Sequence, residues 1–176
     1  MCTPLRRPLA LVVAGLFLAG TAGAADTTPM NVRIIVTKAC TVTAAAATDV
    51  DFGTSVSTAA TPILAQGSLT AQCSAQTPYV ISLNAGANAG TANDVATRRM
   101  KNIDAAITTN NFVGYQLYRD AARSQVWGAT SGTNTVAGTG TGLSVPHLVY
   151  GRISNLSASN VATGNYLDTV TATIIY

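Results

Sequence analysis

Met30-Asn31-Val32-Arg33-Ile34-Ile35-Val36 stands just before Lys38-Ala39-Cys40. Met30, Val32, Ile34 and Val36 fall on one face of an extended chain, and Asn31, Arg33 and Thr37 on the other. That alternation has the period of a half-buried strand, and its β-branched residues suit a pleated surface. It predicts a strand from Met30 to about Val42. An apolar strand left unpaired is a hazard, so this one has to dock in its own domain or in another subunit.

Upstream, residues 1–25 have the make-up of a secretory signal peptide. Arg6 and Arg7 give a positive start, Leu9 to Ala19 an uncharged apolar stretch, and Ala22-Gly23-Ala24 a small-residue cleavage site. The apolar stretch is short for a membrane span. Cys2 lies ahead of it, away from the first residue of a mature chain. The expectation is an exported, soluble protein organised as a signal peptide (1–25), an N-terminal extension (26–39) and one domain (40–176).

Roughly 150 residues remain after the signal, enough for one domain with a sizeable core. They carry 8 Lys and Arg against 7 Asp, with no Glu, so nothing points to nucleic acid or an anionic membrane as a partner. Ala, Thr, Val, Asn, Ser and Gly dominate, and residues that usually cover helix surfaces are scarce. The composition predicts an all-β domain.

Cys40 and Cys73 survive signal removal. An even count in an exported chain favours a disulfide, stabilising by roughly 3 to 4 kcal/mol in the chain-entropy model. Two buried thiols are the plainer alternative. A metal site is the weakest, because His147 is the sole histidine.

Strand-like runs recur between turns: Val50-Asp51-Phe52-Gly53, Gln66 to Cys73, Pro78 to Leu83, Phe112 to Asp120, Pro146 to Ile153 and Tyr166 to Tyr176. Six to eight short strands at this spacing indicate a sandwich. Gly128 to Gly142 holds five glycines and reads as a loop or a hairpin excursion. Arg98-Arg99-Met100-Lys101-Asn102 reads as a solvated short strand rather than a nucleic-acid patch. Asp120-Ala121-Ala122-Arg123 has the spacing of a tight turn whose two charges can meet.

Catalytic chemistry is sparse. A Ser-His-Asp hydrolase would have to use His147, which sits in a strand with no nucleophile elbow anywhere in the chain. Asp49 and Asp51 are too few for a calcium site, and scattered aspartates make a poor glycosidase pair. Trp127 suits a sandwich core better than a sugar site. The reading is non-enzymatic, with no catalytic residue, metal or other cofactor.

Four segments resemble one family: Phe52-Gly53 after the first cysteine, Gly114 to Asp120 (GYQLYRD), Val149 to Ile153 (VYGRI), and Gly164-Asn165-Tyr166-Leu167-Asp168-Thr169-Val170 running to Ile-Ile-Tyr. Together they resemble the spore coat protein U domain, which includes subunits of archaic (Csu-type) chaperone–usher pili. The resemblance implies an incomplete immunoglobulin-like sandwich completed by donor-strand exchange. Its partners are then neighbouring subunits, a periplasmic chaperone and an outer-membrane usher, its place the cell-surface fimbrium, and its roles adhesion and biofilm formation. Met30, Val32, Ile34 and Val36 are the expected donor residues. Val170, Ala172, Ile174 and Tyr176 are the expected chaperone-facing strand, with the chain ending directly after it. Two alternatives remain: a secreted monomeric module that binds carbohydrate, and a coat component assembled without an usher.

Overall fold

Two long strands, β2 (Ile63–Cys73) and β8 (Ser144–Ile153), form the central antiparallel ladder. The computed structural model describes Gly23, residues 26–44 and residues 48–176. The signal-peptide reading of 1–25 therefore lies almost wholly outside the described residues. The chain divides at Ile35 into two units, 1–35 and 36–176.

In the second unit, β1 (Cys40–Thr43) and β6 (Gln116–Tyr118) flank the central pair, giving a four-stranded sheet in the order β1-β2-β8-β6. A second sheet orders β10 (Ala172–Ile175), β3 (Pro78–Leu83) and β7 (Val136–Thr139), with β3 in the middle. A third, small sheet sets β4 (Arg99–Asn102) between β5 (Phe112–Gly114) and β9 (Tyr166–Leu167). Every pairing is antiparallel. Helix among the described residues is limited to short 3-10 turns.

Alternation builds the core. Leu69, Ala71 and Cys73 of β2 and Val149 and Ile153 of β8 point inward to meet Tyr79, Ile81 and Leu83 of β3. Trp127 is wholly buried, and its Nε1 donates to the Ile81 carbonyl at 3.0 Å, so it belongs to the core as its sequence context predicts. Cys40 and Cys73 stand opposite each other in the β1–β2 ladder and are joined by a disulfide, Cα to Cα 4.1 Å. Denatured, unreduced mature protein is expected to show no free thiol on labelling; quantitative modification of both cysteines would refute the bridge.

Several sequence expectations need correction. Phe112 to Asp120 is not one strand: the chain switches sheets at Tyr115, so that β5 pairs with β4 while β6 pairs with β8. Its inward set, Val113, Tyr115 and Leu117, is buried as the alternation requires. The glycine-rich stretch contains β7, which pairs with β3. Gly138 leaves room there for the Tyr79 ring, since a Cβ at that position would stand 2.8 Å from Tyr79 Cε2. Tyr166 to Tyr176 divides into β9 and β10. Val50 to Gly53 forms no strand. It lies across Gly67 and Gly151 instead, where added Cβ atoms would meet Val50 Cγ2 at 2.9 Å and Phe52 Cζ at 2.8 Å.

The charges also sit differently. Arg98 is 2% exposed, not solvated. Its guanidinium donates to the carbonyls of Leu83 (3.0 Å), Asn84 (2.6 Å) and Trp127 (2.8 Å) and to Gln116 Oε1 (2.8 Å). Burial lowers its pKa to about 10, against the raising influence of Tyr115 and Asp168, so it stays charged at neutral pH. Asp120 and Arg123 form the expected turn, yet their side chains part. Asp120 accepts from Ser124 and Gln125, while Arg123 donates to the carbonyls of Gly151 and Ala65. Both charges saturate nearby backbone groups, which spacing alone does not reveal.

Candidate functional site

The two edges of the sandwich differ. At the β6 and β7 edge the chain crosses between the sheets: Trp127 N donates to the Leu117 carbonyl at 2.9 Å, and Leu83 N to the Gly128 carbonyl at 3.0 Å. Arg119 adds a bond from Nη1 to the Thr135 carbonyl at 2.8 Å. At the other edge β1 ends one sheet and β10 ends the other. Among the described residues, β1 pairs only with β2, and β10 only with β3. No described residue is hydrogen-bonded as a strand between them.

Between the 48–57 segment and residues 161–172, a cavity of about 1050 Å³ reaches the core. Its apolar wall includes Phe52, Leu69, Leu83, Val149, Ile153 and Val170. Towards one end it turns polar. There Asp168 accepts from the Tyr115 hydroxyl at 2.6 Å, from Asn88 N at 3.0 Å and from Asn88 Nδ2 at 3.0 Å. Burial and the Asp168 carboxylate push the Tyr115 phenol well above its ordinary range. Gly86, at φ +86°, makes space for that carboxylate.

The lip on the β10 side keeps strict alternation beyond its ladder. Asp168, Val170, Ala172 and Ile174 are half-buried, while Thr169, Thr171, Thr173 and Ile175 are exposed. Residues 168–171 are tied to the loop after β3. Asn84 N donates to the Thr171 carbonyl, Thr171 N to Asn84 Oδ1, and Ala87 N to the Thr169 carbonyl. Val170, Ala172 and Ile174 pack against the core, and Tyr176 is exposed.

Met30, Val32, Ile34 and Val36 are 80–87% exposed, and residues 26–39 carry no strand. The predicted strand from Met30 to Val42 thus begins only at Cys40. A strand is held by its ladder, and these residues have no ladder partner among the described residues.

The residues proposed for chemistry from sequence do not converge. His147 lies in β8, and its Nε2 hydrogen-bonds the Tyr79 hydroxyl at 2.8 Å across the sandwich. Burial lowers the His147 pKa and raises that of Tyr79. Asp49 and Asp51 are exposed, and Asp51 Oδ1 takes the Gly53 amide at 2.8 Å. Among the described residues, no three His, Cys, Asp or Glu side chains are placed to hold a metal. Sequence reading missed Arg98 and the Tyr115–Asp168–Asn88 cluster. The available signal for Asp168 was the alternation of the last strand, which extends back to it without a break.

An antiparallel two-sheet sandwich with one unbridged edge defines a class of immunoglobulin-like domain. The chain belongs to the spore coat protein U domain family, which matches residues 26–173. It is 40% identical over 112 residues to Protein U of Myxococcus xanthus, covering 62% of this chain and 59% of that protein. Among solved structures it resembles a chain of the CsuC–CsuE chaperone–tip adhesion subunit pre-assembly complex from archaic chaperone–usher Csu pili of Acinetobacter baumannii. The identity is 26% and the TM-score 0.54, with 80% of this chain but 40% of that one covered. The chain thus spans under two thirds of either relative's length.

Proposed function

We propose that this protein is a structural subunit of an archaic chaperone–usher pilus, exported through the periplasm and assembled on the cell surface. The observation that carries this reading is the pairing of two unfilled features. One is a cavity that reaches the core between the 48–57 segment and residues 161–172; the other is an apolar alternating segment, Met30 to Val36, with no ladder among the described residues. A donor strand from another copy fits an unbridged edge by β-strand addition. Met30, Val32, Ile34 and Val36 entering the groove would each gain about 1.5 to 3 kcal/mol before ordering costs. In the same reading a periplasmic chaperone holds the groove open along Val170, Ala172, Ile174 and Tyr176 until an usher delivers the next subunit.

The family membership and the likeness to a Csu pilus subunit support this reading. The mature full-length chain is expected to run as a ladder of multimers that collapses on heating. A clean monomer at all concentrations would favour a secreted binding module instead. A coat component assembled without an usher is the second reading, favoured by the higher identity to Protein U. Multimers on cells that lack any usher would decide for it.

A further inference from the structure

We infer that Lys38 of one copy forms an ion pair with Asp168 of the next, fixing the register and direction of the donor strand. The inference rests on the donor-strand reading above and names residues that reading leaves unassigned.

Period-two alternation puts Lys38 on the same face as Met30, Val32, Ile34 and Val36. On the acceptor lip, Asp168, Val170, Ala172 and Ile174 share the face turned to the groove, and Asp168, Val170 and Ala172 line the cavity. Each lip therefore reads as a run of apolar residues ending in one charge. The cation lies at the C-terminal end of the donor, the anion at the N-terminal end of the acceptor strand. Antiparallel pairing brings the two patterns together in one register: Val32 beside Ile174, Ile34 beside Ala172, Val36 beside Val170 and Lys38 beside Asp168. The large Ile34 then faces the smallest residue of the lip. In the parallel direction, with the same apolar residues matched, Lys38 passes the end of β10 to lie beside Tyr176, and the apolar Met30 falls beside Asp168.

Asp168 has capacity for this partner. A carboxylate offers roughly four acceptor positions, and Tyr115 and Asn88 supply three donors. Those bonds hold the carboxylate at the groove mouth before any donor arrives, so little is lost in ordering it. Lys38 is exposed, and its four-carbon stem can lie along the apolar wall while the ammonium reaches the acid. Two other carboxylates, Asp49 and Asp51, also line the cavity and are the competing partners.

Carbodiimide coupling of wild-type multimers joins amines to carboxylates only where they touch. Digestion and mass spectrometry should return a Lys38–Asp168 linkage between copies. Linkage to Asp49 or Asp51 instead, or no Lys38 linkage in intact multimers, overturns the assignment. Multimer lifetime gives a second readout in the full-length chain. At low salt Lys38→Gln should shorten it about tenfold, with the effect shrinking at high salt. Asp168→Asn should do the same, the double variant should be no worse than either single, and Asp51→Asn should be silent. An unchanged lifetime for Lys38→Gln, or equal cost of that change with and without Asp168, refutes the pair. If the wild type forms no multimers at all, the donor-strand reading itself has failed.

Discussion

Ile34→Asp is expected to leave the chaperone–subunit complex intact in periplasmic extracts while removing fibres from the cell surface. Ile34 is 87% exposed. A carboxylate there costs its own domain nothing. At a junction, the same carboxylate would enter a neighbour's apolar groove with no partner, at ~3 kcal/mol or more, over a hundredfold in the junction equilibrium. Arg33→Asp, on the opposite face, is the control and should be close to neutral in both assays. Loss of the complex as well as the fibres would mean that the segment packs within its own domain, and donor-strand exchange would be discarded.

Alternation made much of this fold legible. The inward sets of β2, β3, β8 and β10 follow from period two, because one face of each strand is apolar enough to be fixed to the core. Where the sequence reading failed, a tertiary demand overrode the local pattern. Nothing local marks Tyr115 as the point where one apolar run leaves a sheet for another; the switch is set by β4 pairing with Phe112–Gly114 and β8 with Gln116–Tyr118. Gly138 reads as loop chemistry, yet it is the absence of a side chain there that lets Tyr79 lie on β7.

Arg98 shows the limit most sharply. A run of three charges in five residues reads as solvated, because burying a guanidinium is costly unless its donors are met. They are met here by the consecutive carbonyls of Leu83 and Asn84, by Gln116 Oε1 and by the Trp127 carbonyl, three places far apart in sequence. The inner face of the last run was legible from its alternation, which half-buries Val170, Ala172 and Ile174. The polar end of the cavity was not, since Tyr115, Asn88 and Asp168 come together only once β3, β5 and β9 are in place.

Deleting Ile174 to Tyr176 is expected to abolish chaperone capture and send the subunit to degradation. The deletion removes the ladder pairs Ile174 with Ile81 and Ile175 with Val80, half of the β10–β3 register. It also strips cover from Ile81, which is wholly buried in the intact chain. Losing the half-buried Ile174 side chain costs about 1 kcal/mol, and each lost ladder hydrogen bond about 1 kcal/mol more. A domain whose edge is already open has little margin against a loss of that size, since whole domains are stable by only ~5 to 15 kcal/mol. Tyr176→Ala separates the two consequences, because Tyr176 is exposed and its loss leaves the ladder intact. That variant should accumulate at wild-type levels and bind the chaperone more weakly. If the truncated subunit co-purifies with its chaperone as well as the wild type does, β10 is not the strand that the chaperone holds.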